Sequence, residues 1–313
     1  MAETTIEWVR GPNGEKGFTF NPWRGCTPKS PGCNNCYAAR DAKRFGLDCY
    51  GKGKARIRTS ARNWNEPLRW NRQAEKEGIR YRVFCASMAD VFDSEAPDGW
   101  RRDLFELILK TPHLDWLLLT KRIGNVKRMV SLAFGCISAC SDNARLPENV
   151  WLGITVCNQE EADRDIPILL DTPAEKRFLS IEPLLGPVDL DAIDMPHTMP
   201  ENVLTGIGGR DNPTTIDWVI VGGETGPKAR PAHPNWVRSL RDQCAAARVP
   251  FMFKQWGEWA SEKDMLNDGS PGHQTFFSNA SMVICASGER VYRVGKARAG
   301  RLLDGKEHME VPA

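Results

Sequence analysis

No run of eighteen apolar residues occurs anywhere in the chain, and the opening Met1-Ala-Glu-Thr-Thr-Ile-Glu7 has neither a basic stretch nor an apolar one. Both absences argue against membrane insertion and secretion and point to the cytoplasm. Histidine is scarce. His113, His197, His233, His273 and His308 are scattered without ligand spacing, so no chemistry is assigned to them. A disulfide framework is also missing, because the ten cysteines are spread along the chain. Cys85, Cys157 and Cys244 sit inside apolar segments, where buried free thiols are common.

What the chain has is material for a core: 313 residues, 41% apolar, with 11 tryptophans, read as one large domain. Its most distinctive stretch is Cys26-Thr-Pro-Lys-Ser-Pro-Gly-Cys33-Asn-Asn-Cys36-Tyr37. Cys33 and Cys36, two residues apart, can turn both sulfurs toward one metal, while the Pro/Gly loop brings Cys26 from another side. Structural zinc sites are closed by four protein ligands, whereas a [4Fe-4S] cluster on three cysteines keeps one iron open. By spacing alone, zinc with Cys49 or a histidine as fourth ligand is nearly as good a reading as iron.

Net charge is only +2, but it is unevenly placed. Residues 1–72 carry 14 Lys and Arg against 6 Asp and Glu, a balance of +8, which leaves −6 for the remainder. Lys52, Lys54, Arg56, Arg58 and Arg62 lie close to Trp64 in a basic segment, 43–72. Cations mixed with aromatics suit a phosphate backbone and stacked bases, so these six residues are candidate contacts to single-stranded DNA or RNA. The alternative is a solvated basic loop.

Thr4–Trp8 reads as a short strand and Arg10–Gly14 as a turn. Phe18–Trp23 reads as a strand that delivers the chain to Gly25 and Cys26, with a helix over Tyr37–Phe45 stopped at Gly46. Further strands are expected at 81–86, 114–120, 150–156, 177–181, 218–221 and 250–254, with helices at 100–110, 159–170 and 234–248 between them. The near-continuous apolar run Leu114–Thr120 suits a strand covered on both faces. Six or seven such units imply an α/β fold, a full or partial parallel (β/α) barrel over residues 1–257. Residues 258–313 read as a small carboxyl-terminal extension with strands at 281–285 and 290–294. Arg298, Arg301 and Lys306 within it read as solvated surface.

Chemistry in such barrels collects at the carboxyl ends of the strands. Those ends carry Ser87 and Asp90, then Thr120, Lys121 and Arg122, then Thr155, then Ser180 and Glu182, then Gly222, Gly223 and Glu224, and last Lys254. Carboxylates and cations recurring strand after strand suit a zwitterionic cofactor, with Gly222 and Gly223 admitting its flat part to the backbone. The barrel context also favours iron over zinc, since zinc ribbons are small autonomous units with paired knuckles.

Several stretches together carry a family resemblance: Asn21-Pro-Trp-Arg-Gly-Cys26, Cys33-Asn-Asn-Cys36-Tyr37, Ser87-Met-Ala-Asp90, Leu119-Thr-Lys-Arg122, Leu179-Ser-Ile-Glu-Pro-Leu-Leu-Gly186, Trp218-Val-Ile-Val-Gly-Gly-Glu-Thr-Gly226 and Phe253-Lys-Gln-Trp-Gly257. Over most of its length the chain resembles the radical S-adenosylmethionine (SAM) superfamily, in a phage-associated three-cysteine branch. The resemblance implies a [4Fe-4S] cluster on Cys26, Cys33 and Cys36 whose open iron chelates SAM, an electron donor for that cluster, and a 5′-deoxyadenosyl radical as the working species. The six-residue loop between Cys26 and Cys33 is longer than in the superfamily's common motif. Gly222-Gly-Glu224 follows the sixth strand, whereas the superfamily's methionine-binding triplet follows the second, so the resemblance shifts that role to Ser87 and Asp90. Tyr37 joins the cofactor set beside the third cysteine. Lys121 or Arg122 would neutralise a carboxylate, and Glu182 or Glu224 would take ribose hydroxyls or an amino group. The leading expectation is a radical SAM enzyme that repairs or modifies nucleic acid. Its alternatives are an iron–sulfur nucleic-acid-binding protein that does not cleave SAM, and a radical enzyme for a small metabolite.

Overall fold

The computed structural model describes residues 3–135, 145–196, 199–208, 214–263 and 280–312; His197 and His273 lie outside them. In chain order the strands are β1 (Gly17–Thr19), β2 (Trp23–Arg24), β3 (Ile57–Arg58), β4 (Tyr81–Cys85), β5 (Leu114–Thr120), β6 (Val150–Thr155), β7 (Lys176–Ile181), β8 (Trp218–Gly222), β9 (Phe251–Gln255), β10 (Trp259–Ser261), β11 (Met282–Ile284) and β12 (Arg290–Arg293). The helices are α1 (Tyr37–Arg44), α2 (Ala61–Glu77), α3 (Asp98–Leu109), α4 (Val126–Ala133), α5 (Gln159–Leu170), α6 (Pro234–Ala247) and α7 (Lys296–Ala299). No described helix is long and apolar enough to cross a membrane.

Seven strands form one sheet in the order β1-β4-β5-β6-β7-β8-β9, parallel at β1·β4, β4·β5, β5·β6 and β8·β9. The order follows the chain without reversal. That is the order of a partial (β/α) barrel, not of a doubly wound sheet, whose order turns back at a switch point. Every residue of β4, β6 and β8 is buried, as in a parallel sheet covered on both faces. The two end strands are covered by other chain segments. Thr4 N donates to Gly17 O (2.9 Å) along β1, and Phe253 N donates to His308 O (2.9 Å) along β9.

The chain divides into two compact units, Met1–Thr155 with Asp165–Phe178, and Val156–Arg164 with Leu179–Pro312. In the first, aromatic pairs fasten the sheet to its neighbours. Phe18 stacks on Trp70 of α2 at 4.4 Å, Phe20 meets Trp64 and Trp116 edge-on, and Trp8 packs on Phe84 at 4.6 Å. The 43–72 segment is therefore not an extended basic loop, because from Ala61 onward it is helix. Ser60 caps α2, Gly78 ends it with φ 67°, and Trp64, Pro67, Trp70 and Ala74 recur at helical spacing on the face turned to the sheet. The expected strand at 4–8 is replaced by a bridge at Glu3 and a 3-10 turn, Glu7–Val9.

In the second unit, α6 opens with Pro234 at its first turn and buries Val237, Leu240 and Cys244. Its Arg238 and Arg241 grip Asp304 at 3.0 and 2.7 Å. The later strands form a separate sheet, β10-β12-β11, and β10 had no counterpart among the sequence expectations.

Gly153 of β6 is closely packed: a Cβ there would sit 2.3 Å from the Phe178 ring. Gly153→Ala should cost about 1–3 kcal/mol in urea unfolding, as overpacked cores do. Phe178→Leu in the same chain should recover part of that loss, and strict additivity would contradict the contact.

Candidate metal centre

The cysteine loop leaves the sheet where β1 ends. Phe20 N still donates to Phe84 O (2.9 Å), and Gly25 N donates to Met88 O (3.0 Å) in a parallel bridge with Ala89. Gly25 has φ 106°, and a Cβ on it would lie 2.2 Å from Cys49 O, so only glycine fits immediately before Cys26. Beyond Cys26, Ser30 Oγ accepts from Gly32 N (3.0 Å) and starts a 3-10 turn, Pro31–Cys33. Cys36 then occupies the N-cap of α1 without using its side chain as a cap.

Two arginines hold this loop at Thr27. Arg122 donates through Nη2 to Thr27 O and through Nη1 to Cys26 Sγ (3.4 Å) and Asp90 Oδ2 (3.0 Å). Asp90 is engaged on all sides, accepting also from Thr120 Oγ1 (2.8 Å), Phe92 N (2.9 Å) and Lys121 N (3.1 Å). Arg56 donates through Nη2 to Thr27 Oγ1 (2.7 Å), pairs with Asp93 at 2.7 Å and Glu95 at 3.2 Å, and bonds the carbonyls of Cys49, Gly51 and Lys54. Its side chain is fully buried.

Two tyrosines close the other side. Tyr37 Oη donates to Ser87 O (2.7 Å) and Tyr50 Oη to Met88 O (2.6 Å), while Asn21 Nδ2 donates to Ser87 Oγ (3.0 Å) and Asn21 Oδ1 accepts from Met88 N (2.7 Å). The segment after β4 is thus tied to the residues that flank the cysteine loop. Tyr50 was not among the candidates; a tyrosine fourteen positions past Cys36 gives no signal of its own.

The electrostatics bear most on Cys26. Burial first, then Asp90, pushes the Cys26 thiol up to about 12; Arg122 opposes this, and Cys33 adds to it. Burial followed by the charges of Cys36, Cys49 and Cys26 raises the Tyr50 phenol above its ordinary value. All three loop cysteines are free thiols and partly exposed. Among the described residues, no three His, Cys, Asp or Glu side chains are gathered as ligands of a metal ion. Cys49, the candidate fourth zinc ligand, is fully buried. What the loop offers is three thiols outside any disulfide, Cys36 at the N-cap of α1 and Cys26 bonded by the Arg122 guanidinium. In donor chemistry this set fits an iron–sulfur cluster carried by three cysteines.

The first unit also contains Thr155, buried at the end of β6. The remaining rim candidates belong to the second unit. Glu182 and Lys254 pair at 2.6 Å, and a Cβ on Gly222 would press on Glu182 Cγ at 3.2 Å. Glu224 is not open to a ligand: Arg230 takes its two oxygens at 2.5 and 2.9 Å. Nor does Gly223 face a flat cofactor, because a Cβ there would strike Trp256 O at 1.9 Å. The main chain of Trp256 fills that approach. Ser180 is buried within β7.

Residues 3–312 match the family described as "Protein of unknown function (DUF5131)". The chain belongs to that family. No curated protein matches this DUF5131 chain. Among solved structures, a spore photoproduct lyase mutant with bound AdoMet and dinucleoside spore photoproduct is similar at 10% identity and a TM-score of 0.38, over 93% of this chain and 72% of that one. A spore photoproduct lyase complexed with dinucleoside spore photoproduct gives 10% and 0.37 over the same shares.

The basic segment of the DUF5131 chain divides by role. Arg56, expected at a nucleic-acid surface, is internal and committed to Asp93 and Thr27. Trp64 is not a free stacking platform, because Phe20 meets it edge-on at 5.5 Å and Arg58 covers its ring at 4.3 Å. Arg58 is itself paired with Asp103 at 2.7 Å, and Lys54 with Asp48 at 2.7 Å. Lys52 and Arg62 are exposed and without an ion pair among the described residues. Arg56→Met, which leaves Asp93 buried beside an apolar chain, should cost about 3–5 kcal/mol in urea unfolding. Lys52→Ala should stay within about 0.5 kcal/mol, and equal costs would contradict this division.

Proposed function

We propose that this protein is a radical SAM enzyme that acts on nucleic acid, with a [4Fe-4S] cluster on Cys26, Cys33 and Cys36. One observation carries the reading: the three-thiol loop leaves the first strand of a sequentially ordered parallel sheet, and the residues on either side of it, Gly25 and Tyr37, bond Met88 and Ser87 at the end of the second. When bound, such a cluster supplies the electron that splits SAM into methionine and a 5′-deoxyadenosyl radical.

The chain's own residues have separable tasks in this reading. Gly25 brings Cys26 against the second strand's loop, and Tyr37 and Tyr50 hold that loop in place. Asp90 binds no ligand itself and instead fixes Arg122 and the end of β5. Lys121, half-buried and without an ion pair among the described residues, is then the cation for the SAM carboxylate. In the second unit, Glu182 Oε1 is buried without a partner among the described residues, with Lys254 holding the other oxygen. Lys52, Arg62 and the exposed Arg40, Lys43 and Arg44 of α1 supply the phosphate contacts.

A second reading, a cluster-bearing nucleic-acid-binding protein that leaves SAM intact, is favoured by the engagement of Asp90 and Arg122 with each other. One assay separates the two. Under dithionite, the protein with SAM and single-stranded DNA or RNA should release 5′-deoxyadenosine, and Cys26→Ala should release none. An intact cluster with no 5′-deoxyadenosine would select the second reading. Replacing Lys52 and Arg62 by alanine should weaken binding and reduce its log–log salt slope by about 1–1.5; an unchanged slope would remove nucleic acid as the partner.

A further inference from the structure

Arg122 has three donors already taken by the protein itself, two from Nη1 and one from Nη2. Its side chain is 8% exposed, and its partners come from three directions: Cys26 Sγ and Thr27 O on the cysteine loop, Asp90 Oδ2 after β4, and, from Nε at 3.9 Å, Asp93 Oδ1. A cofactor carboxylate would have to reach a guanidinium already largely buried among these partners. The charges around Cys26 point to another role. A thiolate there faces the carboxylates of Asp90 and Asp93, and the cation bonded to its sulfur is Arg122. Arg56, the other buried cation nearby, is spent on Asp93, Glu95 and Thr27 Oγ1.

We infer that Arg122 is a positioning residue for the metal-bound Cys26 sulfur, orienting it through the Thr27 carbonyl and donating a charged hydrogen bond that favours the reduced state of whatever iron–sulfur group the loop carries. This rests on the reading that Cys26, Cys33 and Cys36 hold such a cluster. It assigns Arg122 to the protein's own sulfur and leaves SAM to other residues. Asp90 becomes the residue that aims the guanidinium, since both its oxygens are held from β5 and from its own loop. A positive charge hydrogen-bonded to a ligand sulfur stabilises the added electron, so removing it makes reduction harder.

Two readouts test this on full-length protein purified without oxygen. In the unsubstituted chain labelled with 15N-arginine, electron–nuclear spectroscopy of the reduced cluster should show a 15N coupling that disappears in Arg122→Lys. The reduction potential of Arg122→Gln should move to more negative values, whereas Arg69→Ala, which removes a surface ion pair with Glu66, should leave it where it was. Absence of the 15N coupling from a well-formed cluster, or an unmoved potential in Arg122→Gln, overturns the role of Arg122 while the cluster reading stands. If the unsubstituted chain takes up no cluster, both fall together. Should Arg122→Gln fail to fold, the coupling in the unsubstituted protein still decides the question.

Discussion

The cysteine loop depends on one residue, Thr27, being held by two buried guanidiniums. Arg122 reaches its carbonyl and Arg56 its hydroxyl. Neither cation would be tolerated in the interior alone, and each is matched: Arg122 by Asp90, Arg56 by Asp93 and Glu95. All three carboxylates lie in the six residues 90–95 that follow β4. The loop that ends the second sheet strand therefore supplies the counter-charges for the loop that ends the first, and the geometry of the sulfurs is inherited from that exchange. A loop of Pro, Gly, Ser and Asn has little apolar surface with which to order itself, so the charged network supplies the ordering.

This arrangement explains how positive charge is distributed in the first seventy residues. Part of the excess is internal and structural, as at Arg56, and part is neutralised on the surface, as at Arg58 and Lys54. The exposed remainder includes Lys52 and Arg62 together with the α1 cations Arg40, Lys43 and Arg44. The last three recur at i, i+3 and i+4 on a helix that begins directly after Cys36, so the third cysteine and the cationic face share one short element.

Much of the fold was legible because its signals are local. Leu114–Thr120 reads as a buried strand from its apolar run, and Gln159–Leu170 as a helix from its periodicity; both occur with those bounds. Ser60, the stripe Trp64, Pro67, Trp70, Ala74 and the closing Gly78 spell out helix α2, but the mixture of cations and aromatics in 43–72 draws the reading to a binding surface or a basic loop instead. Sequence pattern marks candidates only where their signal is local, as in the three cysteines and the polar strand ends, and not the pairings that surround them. Arg56 and Asp93 are 37 positions apart and Cys26 and Arg122 are 96 apart, and periodicity carries no information on such pairings. Glu224 failed as a candidate for the opposite reason: its partner Arg230 is six residues away, in a turn that residue types alone do not define.

The central claim is that the loop from Cys26 to Cys36 carries iron and sulfide rather than a single zinc ion. Iron, inorganic sulfide and zinc should be quantified in the full chain purified without oxygen, beside the Cys26→Ala, Cys33→Ala and Cys36→Ala variants. The account predicts equal amounts of iron and sulfide in the unsubstituted protein, lost in each variant, with zinc negligible. Stoichiometric zinc, or iron retained when any of the three cysteines is removed, would contradict it.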